Sequence, residues 1–502
     1  MRAGAIPALL LLASPAVAQE AVVVSAAPAG VAVTVYRAPY ARGAIDLRSP
    51  DGFAVVTETR RVTLPRGTAV LRFEGVAEGI VPVSAVIDGL PDGIVEKNRD
   101  ERLLSPAALV DGTLGRRVTL TRTDRATGRR VAEDATIVAG PEQGVVLRTA
   151  SGVEALRCSG LPEGLGWARV PAGLSAKPVL SVTTTSRAAR TVTVRLSYIA
   201  SGFDWRASYV ATLAGDGRAL DLFAWLTLAN ANPEAFVAAE VNAVAGRLNR
   251  VGTARWQAAA GALSLSCYPL GTTTSDLREQ EFEMADEIVV TASRLVVPAP
   301  MMAMAPPSLA PPPPPPPPED LGDLKLYRVP GRVTVGARGQ KQVALLARTA
   351  VPFERRYRRA IGAGQPLDPV PTAVVLEMRN TAQAGLGLAL PSGTTALYAA
   401  RPGGARLLLG LGRLDDRAAG ERFRLAAGQS AQVTVAQTRI AAGQAVVSVT
   451  NANAFAVTLD IPVGDAGQAI DAEGAALARV DGFATWSPVV PPGGTATLRY
   501  RF

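Results

Sequence analysis

The chain has 502 residues, 48% of them apolar and 19% charged, with 48 glycines and 38 prolines. That is enough apolar material for sizeable cores and excludes a disordered chain. It has no histidine and only two cysteines, which excludes Ser–His and Cys–His nucleophilic chemistry, histidine-ligated metals and a four-cysteine zinc site.

The net charge is +9, and only four of the 52 basic residues are lysine (Lys97, Lys177, Lys325, Lys341). Scattered arginine of this kind reads first as a coding bias. It reads second as affinity for phosphate or carboxylate polymers, which guanidinium forks suit. Residues 1–18 have the form of a secretory signal peptide: Arg2, a short apolar stretch over 5–13, and Ala16-Val17-Ala18 before Gln19. The mature chain is therefore expected in the periplasm or outside the cell after cleavage near Ala18, with no nucleic-acid partner. No cysteine follows the cleavage site to carry a lipid anchor. No other run of 18 apolar residues offers a transmembrane helix.

Residues 19–180 are expected to form an N-terminal β-domain. Apolar residues alternate with period two over 31–36 (VAVTVY) and 69–73, with turn residues at Pro50-Asp51-Gly52, Pro65-Arg66-Gly67 and Pro91-Asp92-Gly93. One short helix is predicted over 105–110, with Ser105 as cap and Pro106 in its first turn. Four short strands between Gly and Asp turns, over 111–170, suggest a small SH3-like barrel. Cys158 and Cys267 either form one disulfide in an oxidising compartment or stay as two buried thiols.

A β-sandwich region of Ig-like type is expected in two parts, 181–271 and 324–502. Its strands include 191–198, 332–335, 432–436 and 495–502, and Trp205 and Trp225 are expected as core anchors. The stretches 225–236, 376–386 and 447–457 share a design: an alternating strand, an asparagine near its end (Asn230, Asn380, Asn451), then a turn. Between the two parts lies a tether over 272–323, acidic at 277–286 and ending in eight prolines, Pro311 to Pro318. Those prolines predict about 25 Å of polyproline II spacer.

The stretches SYIASGFDWRASYVATL (197–213), LFAWLTLANANPEAFVAAEVNAVAG (222–246) and DLKLYRVPGRVTVGARGQKQVALL (323–346) resemble the bacterial family called domain of unknown function 4139. Its relatives include the mucoidy-inhibitor-A-like proteins. GLGLALPSG (385–393) and DGFATWSPVVPPGGTATLRY (481–500) extend the resemblance, in which the Gly202/Trp205/Tyr209 spacing is the more specific part. The resemblance implies an envelope-located, β-rich protein and transfers no catalytic residue.

No G-x-S-x-G, S-x-x-K, phosphate-loop or H-E-x-x-H motif is present. Asp204, Asp221 and Glu234 are the acids that a glycosidase-like pair would draw on. Arg355-Arg356-Tyr357-Arg358-Arg359 is either a phosphate site or a solvated strand face. The expectation is a non-enzymatic protein without cofactor or metal.

One segment of the tether is sharper. DEIVVTASR (Asp286, Glu287, Ile288, Val289, Val290, Thr291, Ala292, Ser293, Arg294) resembles the TonB box of outer-membrane receptors, which pairs as an added strand with a periplasmic protein partner. The other reading is an ordinary strand. The leading expectation is thus an all-β envelope interaction or scaffolding protein that docks a TonB-like partner through this segment. The alternatives are a protein that binds or modifies envelope polysaccharide, and an outer-membrane-associated barrel, to which the terminal Phe502 points.

Overall fold

A computed structural model describes residues 21–38, 43–100, 103–124, 126–140, 144–156, 163–171, 174–215, 217–246, 248, 316–401 and 404–502. Cys158, Cys267 and the segment 286–294 lie outside the described residues. The expected all-β class holds, with 62% strand against 3% helix. The one α-helix among the described residues, Pro106–Asp111, stands where the sequence put it. Ser105 Oγ accepts from the Ala108 amide at 3.1 Å, satisfying one of the amides that a helix start leaves bare.

The chain folds into two compact units that interleave in sequence. Gly30 closes a first stretch of one unit, which resumes over Glu58–Tyr198; Val31–Thr57, Ile199–Ala254 and Pro311–Phe502 make up the other. The placement of 31–57 follows from pairing: strand Gly30–Tyr36 runs parallel to Phe236–Ala245, with Glu240 opposite Ala32.

In the first unit, strands Ala21–Ser25, Gly67–Glu74, Val179–Ser186 and Glu96–Asp100 form a sheet. A buried ion pair stiffens this unit. Arg60 has no solvent exposure and donates to Glu58 at 2.7 Å and to the carbonyls of Ser25 and Glu74. The Tyr198 hydroxyl donates to the same carboxylate at 2.7 Å. Burial raises the Glu58 pKa, against the pull of Arg60 and the hydrogen bond from Tyr198.

Residues 111–170 hold a separate small core of Val118, Leu120, Ile137 and Leu147, to which Val110 of the preceding helix adds. Over it lies a five-stranded sheet. Strands Arg117–Thr123, Arg130–Ala139, Val146–Thr149 and Gly152–Ala155 meander, and Gly164–Gly166 returns to pair with the first. Among the described residues no pairing joins the two edge strands, Gly152–Ala155 and Gly164–Gly166, so the sheet is open where a small barrel was expected.

The second unit contains the repeated asparagine design. Asn230, Asn380 and Asn451 are all fully buried. Asn230 Nδ2 donates to the carbonyls of Glu234 and Gly336, while its Oδ1 accepts from the Asn232 amide. Asn451 repeats this with Phe455, Val490, Pro491 and the Asn453 amide. Asn380 holds Leu388, Ala418 and the Gly387 amide in the same way. Each side chain thus satisfies buried backbone groups where a strand gives way to a turn.

The C-terminal sheet packs Val433, Val447, Leu459, Ile461, Trp486 and Tyr500 into one core. Glu319–Leu321, assigned by sequence to the tether, forms a short strand on Leu324–Val335.

Candidate functional site

Five strands of the second unit form one sheet, in the order Gly339–Pro352, Ala219–Asn230, Phe203–Leu213, Gly393–Ala400, Arg406–Leu414. Period-two alternation divides its residues between two faces. One face carries Phe203, Trp205, Tyr209, Leu222, Leu226 and Leu228, all at most 1% exposed. Trp205 is therefore the core anchor expected of it. Its ring nitrogen donates to the Val244 carbonyl at 3.0 Å, and its ring lies 5.4 Å from the Arg37 guanidinium.

Trp225 departs from the expectation. It sits among Ala224, Leu226 and Leu228, but at the opposite parity, on the other face, where it is only half-buried. Phe223, two residues away on that face, packs edge-on against it with ring centroids 4.7 Å apart. Register places Trp225 beside Ser208, Ser208 beside Thr394, and Thr394 beside Arg413. A parallel row runs from Gln342 through Thr227 to Arg206.

The polar residues of these two rows floor a cleft of about 240 Å³, which the Gly43–Ile45 stretch and Ser392 border and which Trp225 does not line. Its lining includes Arg206, Ser208, Thr227, Gln340, Gln342, Thr394 and Arg413, and no carboxylate. Hydroxyl, amide and guanidinium groups thus converge beside an aromatic pair.

The cleft is held from beneath. Arg206 Nη1 donates to Asp204 Oδ1 at 2.6 Å and to the Trp205 carbonyl, while its Nε has no partner among the described residues. Asp204 also accepts from the amides of Ala38 and Trp205. Its burial raises its pKa, against the attraction of Arg206. Arg413 is exposed and makes no ion pair among the described residues. Arg37 donates to both oxygens of Asp416 and to Ser392 Oγ, which fixes the border of the cleft. The buried Tyr209 and Tyr327 hydroxyls donate to the Pro391 and Ala389 carbonyls just before it.

Gly393 lets two floor strands close up. A Cβ there would stand 2.3 Å from the Ala207 carbonyl oxygen, so only glycine fits at this crossing.

Asp204 and Asp221, two of the three sequence-named acids, do not form a glycosidase pair. Asp204 lies opposite Ala229 and Asp221 opposite Thr212, near opposite ends of one hairpin. Eight residues of strand separate them, roughly 27 Å, where paired carboxyls need about 5–10 Å. Asp221 accepts from the Ala350 amide.

The arginine run is the strand Glu354–Arg358. Tyr357 points into the core, and Arg356 pairs with Glu354 at 2.5 Å and Asp460 at 3.6 Å. Nearby, Arg424 binds Glu377 and Asp481. Arg355 is exposed, whereas Arg358 Nη1 and Arg359 Nε are buried with no partner among the described residues, so the run is neither a uniformly solvated face nor a formed phosphate site.

Sequence reasoning passed over Arg206, Ser208, Thr227, Gln340, Gln342, Thr394 and Arg413. For Arg206, Ser208 and Thr227 the available signal was parity: each is a polar residue at the outward position of a strand whose inward positions are apolar. No protein-family model matches the chain, and no curated protein matches it.

Proposed function

We propose that the protein is a non-enzymatic, glycan-binding protein of the bacterial envelope, acting in the periplasm or outside the cell. The observation that carries this reading is the partly buried Trp225–Phe223 pair, which shares one sheet face with a cleft of hydroxyl, amide and guanidinium groups. A sugar ring has an apolar face that stacks on an aromatic ring and a rim of hydroxyls that needs donors and acceptors at fixed positions. The leader-like residues 1–18 and the resemblance to the mucoidy-inhibitor-A-like proteins support the envelope location. Retardation in native gels cast with envelope polysaccharide tests the reading. The wild type migrates slowly, and Trp225→Ala loses at least about tenfold in affinity, or 1.4 kcal/mol. Equal retardation of the two proteins would remove the aromatic pair from the account.

A second reading concerns the segment 286–294. Its alternating β-branched residues support strand addition to a TonB-like periplasmic partner. The two readings are compatible, since they use different parts of the chain.

A further inference from the structure

We infer that the cleft selects an acidic sugar residue, whose carboxylate sits between Arg206 and Arg413. The inference rests on the glycan reading above and deepens it.

Charge is the first argument. The lining brings two guanidiniums together and no acid. Asp204, buried below, is bound to Arg206 and cancels one of the two positive charges. One net positive charge remains, which suits a monoanion such as a carboxylate better than a phosphate dianion.

Hydrogen bonding is the second. Arg206 turns one Nη1 edge to Asp204 and Trp205 and leaves Nε without a partner among the described residues. Arg206 lines the cleft and spends only Nη1 on Asp204 and Trp205, so the rest of the guanidinium is the part that a ligand oxygen meets. Arg413, exposed and without an ion pair among the described residues, lines the other side. A charge-assisted bond to each guanidinium fixes a carboxylate in position as well as in charge.

Spacing is the third. Arg206 and Arg413 stand on strands separated by one intervening strand, hence about 10 Å apart across the sheet. Ser208 and Thr394 lie between them on the same face, with Trp225 beyond Ser208. Two arginine side chains reaching inward span that gap around one carboxylate. The sugar hydroxyls then face Ser208 and Thr394, and the next residue of the polymer lies over Trp225.

The test uses the full-length protein and isothermal titration with three polymers: polygalacturonate, its carboxyl-reduced neutral form, and dextran sulfate. The expected result is at least tenfold tighter binding of polygalacturonate than of the neutral form, with the preference shrinking at 1 M salt, where charges are screened within about 3 Å. Arg413→Gln lowers polygalacturonate affinity about tenfold. Arg355→Gln, an exposed arginine away from the cleft with the same change in charge, leaves it unchanged. Trp225→Ala weakens both galacturonate-derived polymers. Equal binding of acidic and neutral forms overturns the acidic preference while leaving the glycan reading in place. Tightest binding to dextran sulfate, with equal losses in Arg413→Gln and Arg355→Gln, overturns it in favour of diffuse attraction to net charge. Binding of none of the three overturns both.

Discussion

The Glu58–Arg60 pair shows how a buried charge is kept at the scale of single residues. Arg60 is enclosed completely, and its guanidinium is satisfied by one carboxylate and two backbone carbonyls. Removing one partner strands the other, so Arg60→Met is expected to destabilise the first unit by roughly 3–5 kcal/mol in urea unfolding. The double variant with Glu58→Gln should cost less than the sum of the two single changes. The pH dependence has a definite sign. Burial raises the Glu58 pKa above 4.5, so the folded protein holds this proton more tightly than the unfolded chain. The stability it contributes is full below 4.5 and is lost as pH rises through the folded value. The penalty of Glu58→Gln should therefore be larger at pH 4.5 than at pH 7. The reverse order would mean that attraction to Arg60 outweighs burial.

Strands and turns give a mixed record of what a sequence shows. The helix start was legible because Ser105-Pro106 is a local capping signal, and it needs no distant partner. The asparagines were legible as strand ends; that each closes its turn with a full set of side-chain bonds required the fold. Asn451→Ala strands the carbonyls of Phe455, Val490 and Pro491 and the amide of Asn453. A cost on the order of 3 kcal/mol follows, read as a melting transition roughly 6–12 °C lower. A change below about 1 kcal/mol would mean that water replaces the side chain. Trp225 was misread for a physical reason. In AWLTLAN both parities of the strand are apolar until Thr227, so alternation alone does not say which face is covered. Only pairing with Phe203–Leu213 on one side and Gly339–Pro352 on the other fixes it.

The whole molecule brings together residues far apart in sequence. Ala32 pairs across from Glu240, and Ser208 from Thr394. No local rule predicts such pairings, which is why the all-β class was readable and the cleft, built from five strands and two loops, was not. The segment 286–294 lies outside the described residues and is testable as a peptide. A synthetic peptide of residues 284–295 should bind a purified TonB C-terminal domain as an added strand. Val289→Pro, which removes a main-chain donor, should abolish that binding. Equal binding of the two peptides, or none at millimolar concentration, would leave the segment an ordinary loop or strand.

The central claim is that one sheet face of the second unit is the glycan surface, and it has a direct test. Hydroxyl-radical footprinting of the full-length protein, with and without polygalacturonate, reports the exposure of each aromatic side chain. The account predicts protection of Trp225 and Phe223 on ligand binding and no change at Trp486, which lies in the C-terminal core. Bound polymer that leaves Trp225 and Phe223 as reactive as before would contradict it.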